Sequence, residues 1–231
     1  MTYERTIGST LTSDSVGGHS LMNTLTRSLV AIAALVIFAT PALAGPPLIC
    51  HPFETAGGKL ISWGAGSGWN TPDRSYDIKK LVADTNAVLT ADSPILTRME
   101  NMRRATIYAM RDPQIAQALL KSVTNRALGT SVDSLAWFDA GYLIESYKQA
   151  VSLRDKGAPE LRAWAEVDET IKVDGYNWVK KAMAMTAPSA EMEFAASLMT
   201  QGSLAQAHRA KAVAAAPKGS LIARNIAALA F

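Results

Sequence analysis

The chain has 231 residues, of which 48% are hydrophobic, and a formal net charge of +3; this length supports one sizeable domain with a real hydrophobic core. The lysines and arginines are interleaved with acidic residues along the sequence, so the charge pattern argues against a nucleic acid partner. A single cysteine, Cys50, excludes an intramolecular disulfide framework.

Residues 1–21 are rich in serine, threonine and glycine and show no apolar period. Met22 opens a signal of ordinary length, so we expect translation to begin at Met22. Residues 1–21 are then a non-native upstream extension, predicted to be disordered. The alternative is a long polar leader that is still exported.

Residues 22–44, MNTLTRSLVAIAALVIFATPALA, have the pattern of a secretory signal peptide. Arg27 supplies a positive charge, residues 29–39 form an unbroken apolar run, and the segment ends in the small-x-small pattern Ala-Leu-Ala. A membrane-spanning helix needs about 20 apolar residues, and this run is much shorter. We therefore expect cleavage after Ala44, export to the periplasm or beyond the cell, and no stable membrane anchor.

Residues 45–76 hold many glycines and prolines and show no helical period, which predicts an irregular, extended N-terminal arm. Trp63 and Trp69 are its candidate binding residues, as an exposed aromatic platform for a sugar or a peptide. The alternative, which we favour, is that both indoles anchor the arm in grooves between helices, because aromatic side chains dominate core burial.

Cys50 and the adjacent His51 are two further candidate binding residues of the arm. The sequence lacks the second cysteine of a haem-attachment motif. Neighbouring residues of an extended chain point to opposite sides, which makes the pair a poor metal site. We expect a thiol that is buried or that bridges two chains, and we expect no cofactor and no metal.

Residues 77–231 have the apolar period of helices and are predicted to form a single helical domain. Ser93-Pro94 and Asp112-Pro113 each place a capping side chain before a proline, which predicts a helix start. The expected helices span about 76–90, 93–112, 113–129, 132–156, a segment opening at Pro159, a segment from 176, 188–201, 204–216, and a last one from about 218.

Pro159, Pro188 and Pro217 follow one another at intervals of 29 residues, with Gly175 and Gly202 between them. Each repeating unit consists of a helix, a glycine, a second helix and a proline. This pattern indicates stacked antiparallel helical hairpins. An irregular helical bundle with the same start signals is the alternative. No segment has the alternation and turns of a β-hairpin, so the predicted fold class is all-α.

Within residues 132–231, six residues have the spacings of a known helical repeat: Trp137, Gly141, Gly202, Ala207, Ala214 and Pro217. On these residues the segment resembles the tetratricopeptide-like helical repeats, although the period of 29 differs from the family's period of about 34. The resemblance implies a scaffold that binds a peptide or a protein without catalysis. The overall layout is also similar to exported bacterial proteins to which no activity is assigned.

No serine-hydrolase elbow, zinc-protease motif, phosphate-binding loop or dinucleotide-binding turn occurs in the sequence. Adjacent helical residues diverge by about 100°, so at most one of Arg103 and Arg104 is expected to face a given site. A nucleophile pair of Cys50 and His208 stays open, since it requires only that the two meet in space.

Two carboxylates suffice for glycosidic chemistry, and acidic residues cluster at three places in the sequence. Lysine or arginine lies near each cluster, which favours solvated helix faces over catalytic carboxylates. The clusters are Glu166 with Asp168 and Glu169, Glu191 with Glu193, and Asp139 with Glu145.

The sequence thus predicts an exported all-α interaction or scaffold protein with a peptide or protein partner, and no catalytic residue is assigned. One alternative is a hydrolase with its site between the arm and the helices. The other is a small-molecule carrier with a closed apolar cavity.

Overall fold

Helices built from the predicted apolar periods make up most of the structure, a computed structural model that describes residues 47–66, 68–129, 133–155, 164, 167 and 171–229. Within these residues there is no β-strand, so the all-α class is confirmed. The predicted upstream extension, the signal peptide and the helix opening at Pro159 lie outside them. The helices are α1 (Leu81–Val88), α2 (Ile95–Ala109), α3 (Pro113–Gly129), α4 (Ser134–Asp155), α5 (Gly175–Ala184), α6 (Ala190–Met199), α7 (Gly202–Ala215) and α8 (Leu221–Ala228).

Local capping sets several of the helix starts. At α3 the Asp112 carboxylate accepts hydrogen bonds from the backbone N–H groups of Gln114 (2.8 Å) and Ile115 (3.3 Å), as the Asp-Pro signal predicts. The hydroxyl groups of Ser189 and Ser220 cap α6 and α8 in the same way. These two helices therefore begin a few residues after Pro188 and Pro217.

The predicted serine cap of α2 is wrong. The Ser93 hydroxyl donates to the backbone oxygen of Val88 (2.6 Å), and the Ser93 carbonyl accepts from Arg98 Nε (2.9 Å). Pro94 is extended, and α2 begins at Ile95 without a side-chain cap. Ser93 thus closes the turn after α1 instead.

Helix α2 lies inside the helical body, where it packs against α1, α3, α4 and α6. Its apolar side chains, such as Met99 and Met102, are fully buried. Its polar residues Glu100, Asn101 and Arg103 are nearly as buried. A helix this polar requires partners for each buried group.

The arm supplies those partners. Residues 47–66 and 68–77 contain neither helix nor strand, so their backbone groups have no regular ladder to join. Asn101 pairs with both the Ile61 N–H (2.9 Å) and the Lys59 oxygen (3.0 Å). Tyr108 donates from its hydroxyl to the Ser62 oxygen (2.8 Å). Side chains of α2 therefore fix the backbone of the arm.

The helices after residue 133 pack most closely as two pairs, α4 with α5 and α6 with α7. Gly141 of α4 faces Gly175 of α5, and a Cβ atom added to either glycine would lie within 2.5 Å of the other residue's carbonyl oxygen. Gly175 begins α5 and is not a bend inside a longer helix. None of the helices in the described part of the chain is long and apolar enough to span a membrane.

Candidate functional site

Two of the four predicted binding residues, Cys50 and His51, lie near the start of the arm. Cys50 is buried, and His51 beside it is partly buried with no hydrogen bond to its Nε2 atom. Burial, together with the positive charge of Arg103, lowers the pKa of His51 below its ordinary value. No group of three or more His, Cys, Asp or Glu side chains in the described ranges is arranged to hold a metal ion.

Trp63 and Trp69 both pack on the hydrophobic core and are partly buried. The Trp63 ring packs edge to face on the Tyr108 ring, with 5.6 Å between the ring centres. The guanidinium groups of Arg103 and Arg104 lie 4.9 Å and 5.4 Å from the Trp63 ring centre. These contacts fit an anchor of the arm better than an exposed platform, because the ring is already covered by α2 side chains.

Replacing Trp63 with alanine is therefore expected to lower the free energy of unfolding by about 2 kcal/mol. A fully buried aromatic costs about 3–5 kcal/mol when truncated to alanine, and the burial here is partial. Urea denaturation measures the change, with the exposed Val213→Ala as the control. Equal stability of the Trp63 variant and wild type would show that the indole does not anchor the arm.

Arg103 and Arg104 both bind the carboxylate of Glu100. The prediction that at most one of these two arginines faces a given site is therefore wrong. Arg103 donates through Nε (2.8 Å) and Nη2 (2.9 Å), and Arg104 donates through Nε (2.7 Å). Their long side chains converge from diverging positions on Glu100, which lies a turn earlier. The Phe53 N–H also donates to Glu100 (3.0 Å). These groups serve the arm's attachment.

Asp139 is also misassigned by the sequence pattern, since it is fully buried and not on a solvated face. Its carboxylate binds Arg98 (2.6 Å) and Arg126. Burial raises the pKa of Asp139 to about 6, although the two arginines act to lower it. The network joins α2, α3 and α4.

The candidate binding site is an apolar groove of about 470 Å³ between α3, α4 and α5. Leu128 and Val173, at 63% and 43% exposure, belong to the few large apolar side chains that the described surface leaves open to solvent. Trp178 lines the groove too and packs on Trp137 at 4.8 Å between ring centres. The described lining residues are Gln117, Leu120, Lys121, Thr124, Leu128, Ile144, Val173 and Trp178.

Lys121 is the one charged residue among those that line the groove in the described part of the chain. The lining therefore combines an apolar floor with a cationic edge. Such a surface is suited to an apolar ligand that carries a negative charge at one end. None of Cys50, His51, Trp63 and Trp69 contributes to this lining.

A second concave site lies between α5, α6 and α7, where His208 is held at both ring nitrogens. Its Nδ1 lies 2.6 Å from Glu193 Oε2, and its Nε2 lies 2.7 Å from the Tyr176 hydroxyl. Both ring nitrogens of His208 are thus engaged by Glu193 and Tyr176, and neither is paired with Cys50, the partner that the sequence left open. Glu193 is likewise not on a solvated face, with 15% exposure.

Comparison of the chain with protein-family models, with curated proteins and with solved structures finds no match.

Proposed function

We propose that the protein is an exported interaction module that binds an apolar segment of a peptide or protein partner, flanked by an acidic residue, in the groove between α3, α4 and α5. The signal-like pattern of residues 22–44 supports export. The exposure of Leu128 and Val173 at the groove supports binding. Apolar surface left open beside a concave site is typical of interaction surfaces.

The open groove favours a partner segment over an enclosed small molecule. A carrier would surround its ligand, because pockets for small molecules cover most of the ligand's surface. Leu128 is 63% exposed, so it is available to a surface that approaches from solvent. The cationic edge at Lys121 favours an acidic residue next to the apolar contact.

Selection of peptides from a random library tests the proposal. We expect enriched peptides to carry large apolar residues next to aspartate or glutamate. Leu128→Asp should weaken their binding about tenfold or more, since an unpaired carboxylate would be desolvated on contact. Fluorescence anisotropy of a labelled peptide measures the affinity.

Val213→Asp is the matched control, because Val213 is a similarly exposed apolar residue on α7, outside the lining. It should leave peptide affinity unchanged. Lys121→Glu should shift the preference from acidic to basic flanks. Peptides that bind Leu128→Asp as tightly as wild type, or a library without enrichment, would contradict the proposal.

A further inference from the structure

The cleft that contains Tyr176, Glu193 and His208 has a volume of about 350 Å³, which is within the range for small ligands. The three side chains come from three different helices, α5, α6 and α7. Lys180, Lys211, Met183, Leu204 and Ala207 complete the lining. Polar groups from separated segments thus converge in one concavity.

The partners of His208 determine which tautomer its neutral ring adopts. A carboxylate only accepts hydrogen bonds, so Glu193 requires a donor at His208 Nδ1. In the neutral imidazole Nε2 then accepts, and the Tyr176 hydroxyl donates to it. Tyr176, His208 and Glu193 are thus arranged as a nucleophile, a general base and a carboxylate that orients the base.

Tyr176 depends on such a base. Burial, with the nearby charges of Glu193 and Asp174, raises the pKa of Tyr176 above its ordinary value. The phenol therefore stays protonated at neutral pH. Attack by its oxygen requires removal of the proton as the new bond forms, and His208 Nε2 lies at hydrogen-bond distance to accept it.

We propose that this cleft is a catalytic site at which the Tyr176 oxygen attacks the acyl carbon of a small ester while His208 Nε2 takes the phenol proton. The ester C–O bond then breaks, and His208 returns the proton to the leaving alcohol. Tyr176 now carries the acyl group. A water molecule attacks this acyl group, His208 takes the water's proton and passes it to the Tyr176 oxygen, and the carboxylic acid leaves.

The rest of the lining defines the substrate class. Lys180 lies 5.1 Å from the Tyr176 ring centre, and Lys211 lies 3.7 Å from Glu193. Both ammonium groups belong to the cleft lining, so the cleft carries positive charge that favours the anionic oxygen developing on the acyl group. Met183 and Leu204 offer an apolar surface to a short acyl chain. Glu193 is a positioning residue, because it acts through His208.

p-Nitrophenyl acetate is the probe for this chemistry. We expect a burst of p-nitrophenolate followed by slower steady release, with one acetyl group located on Tyr176 by peptide mass spectrometry. Tyr176→Phe should remove the burst. His208→Gln should slow acylation about 100-fold, the usual contribution of a general base.

Tyr76→Phe is the matched control, since the Tyr76 hydroxyl is also partly buried but bonds to Asp84 and not to a histidine. It should leave the burst unchanged, as should Val213→Asp at an exposed position outside the cleft lining. Glu193→Gln should lower the acylation rate constant at saturating ester without changing the half-saturating concentration. This variant also serves if His208→Gln does not fold.

Acetylation of Lys180 or Lys211 in place of Tyr176 would overturn the proposal. The proposed mechanism also fails if Tyr176 is acetylated no faster than Tyr76, if the burst has no later turnover, or if His208→Gln and Glu193→Gln both react at the wild-type rate.

Discussion

Replacing Glu100 with glutamine is expected to lower the free energy of unfolding by about 3–5 kcal/mol, because the change leaves a buried guanidinium without its counter-charge. Glu100 and Arg103 are 2% and 1% exposed. Glutamine keeps the size of the side chain but loses the charge that both arginines share. In the variant, Arg103 still donates to the backbone oxygens of Ile49 and Trp69. These oxygens carry no full negative charge, so they do not replace the carboxylate.

Urea denaturation of the variant measures this loss, which is a large part of the roughly 5–15 kcal/mol that stabilises a typical domain. Glu54→Gln is the control, because Glu54 pairs with Arg224 at the surface with both side chains more than half exposed. That change should cost less than about 1 kcal/mol. Similar costs for the two variants would show that the arm does not depend on the buried network.

The same variant has a predictable pH dependence. Burial alone would raise the pKa of Glu100, but its bonds to Arg103 and Arg104 hold the value below 4.5. A carboxyl group whose pKa is lower in the folded protein than in the unfolded chain stabilises the fold at pH values above the unfolded-state pKa. This stabilisation is lost as the pH falls through the folded-state pKa. The difference between wild type and Glu100→Gln should therefore shrink below pH 4.5. A difference that stays constant to low pH would contradict this.

Replacing Gly141 with alanine is expected to cost about 3 kcal/mol, at the upper end of the range for overpacked sites. The added Cβ would lie 2.5 Å from the Gly175 oxygen and 2.9 Å from the Val179 nitrogen. Both obstacles are backbone atoms, so they cannot turn aside as a flexible side chain does. Helices α4 and α5 must therefore move apart, and the packing contacts along their interface are weakened.

Gly129→Ala is the matched control at the end of α3, where an added Cβ meets nothing within 4 Å. Alanine there should be neutral or should stabilise the protein by about 0.5–1 kcal/mol, since glycine is the weaker helix former. Thermal unfolding compares the two variants. Equal melting temperatures would mean that α4 and α5 do not meet at Gly141.

Much of the helical pattern follows from local sequence signals. The Asp112-Pro113 start and the end of α3 at Gly129 were predicted because capping and helix termination involve residues within a turn of one another. Ser93 carries the same signal as Asp112, but its hydroxyl bonds to Val88. A local pattern does not distinguish these two uses of a capping residue.

The buried charges were missed for a different reason. Glu100 and Arg104 have the spacing of a surface pair, and sequence spacing does not reveal that another segment covers the pair. The arm that covers them comes about 40 residues earlier in the chain. Asp139 was missed likewise, because its partner Arg98 lies 41 residues away.

The candidate sites depend still more on tertiary structure. The groove joins Gln117 and Trp178, and the second cleft joins Tyr176, Glu193 and His208. One signal was available for the groove: Val173 is an apolar residue just before the Asp174 cap of α5 and belongs to no helical period. His208 was likewise the one histidine of the helical body.

The most direct test of the proposed function is methyl NMR of the protein as a library-selected peptide is added. We expect the methyl resonances of Leu120, Leu128, Ile144 and Val173 to shift together and to saturate at one affinity. Val213 should not shift, because it lies outside the groove lining. Binding in the groove would be contradicted if the Val213 resonances shifted as much as those of Leu128. It would also be contradicted if the peptide shifted other resonances and left those of the groove methyl groups unchanged.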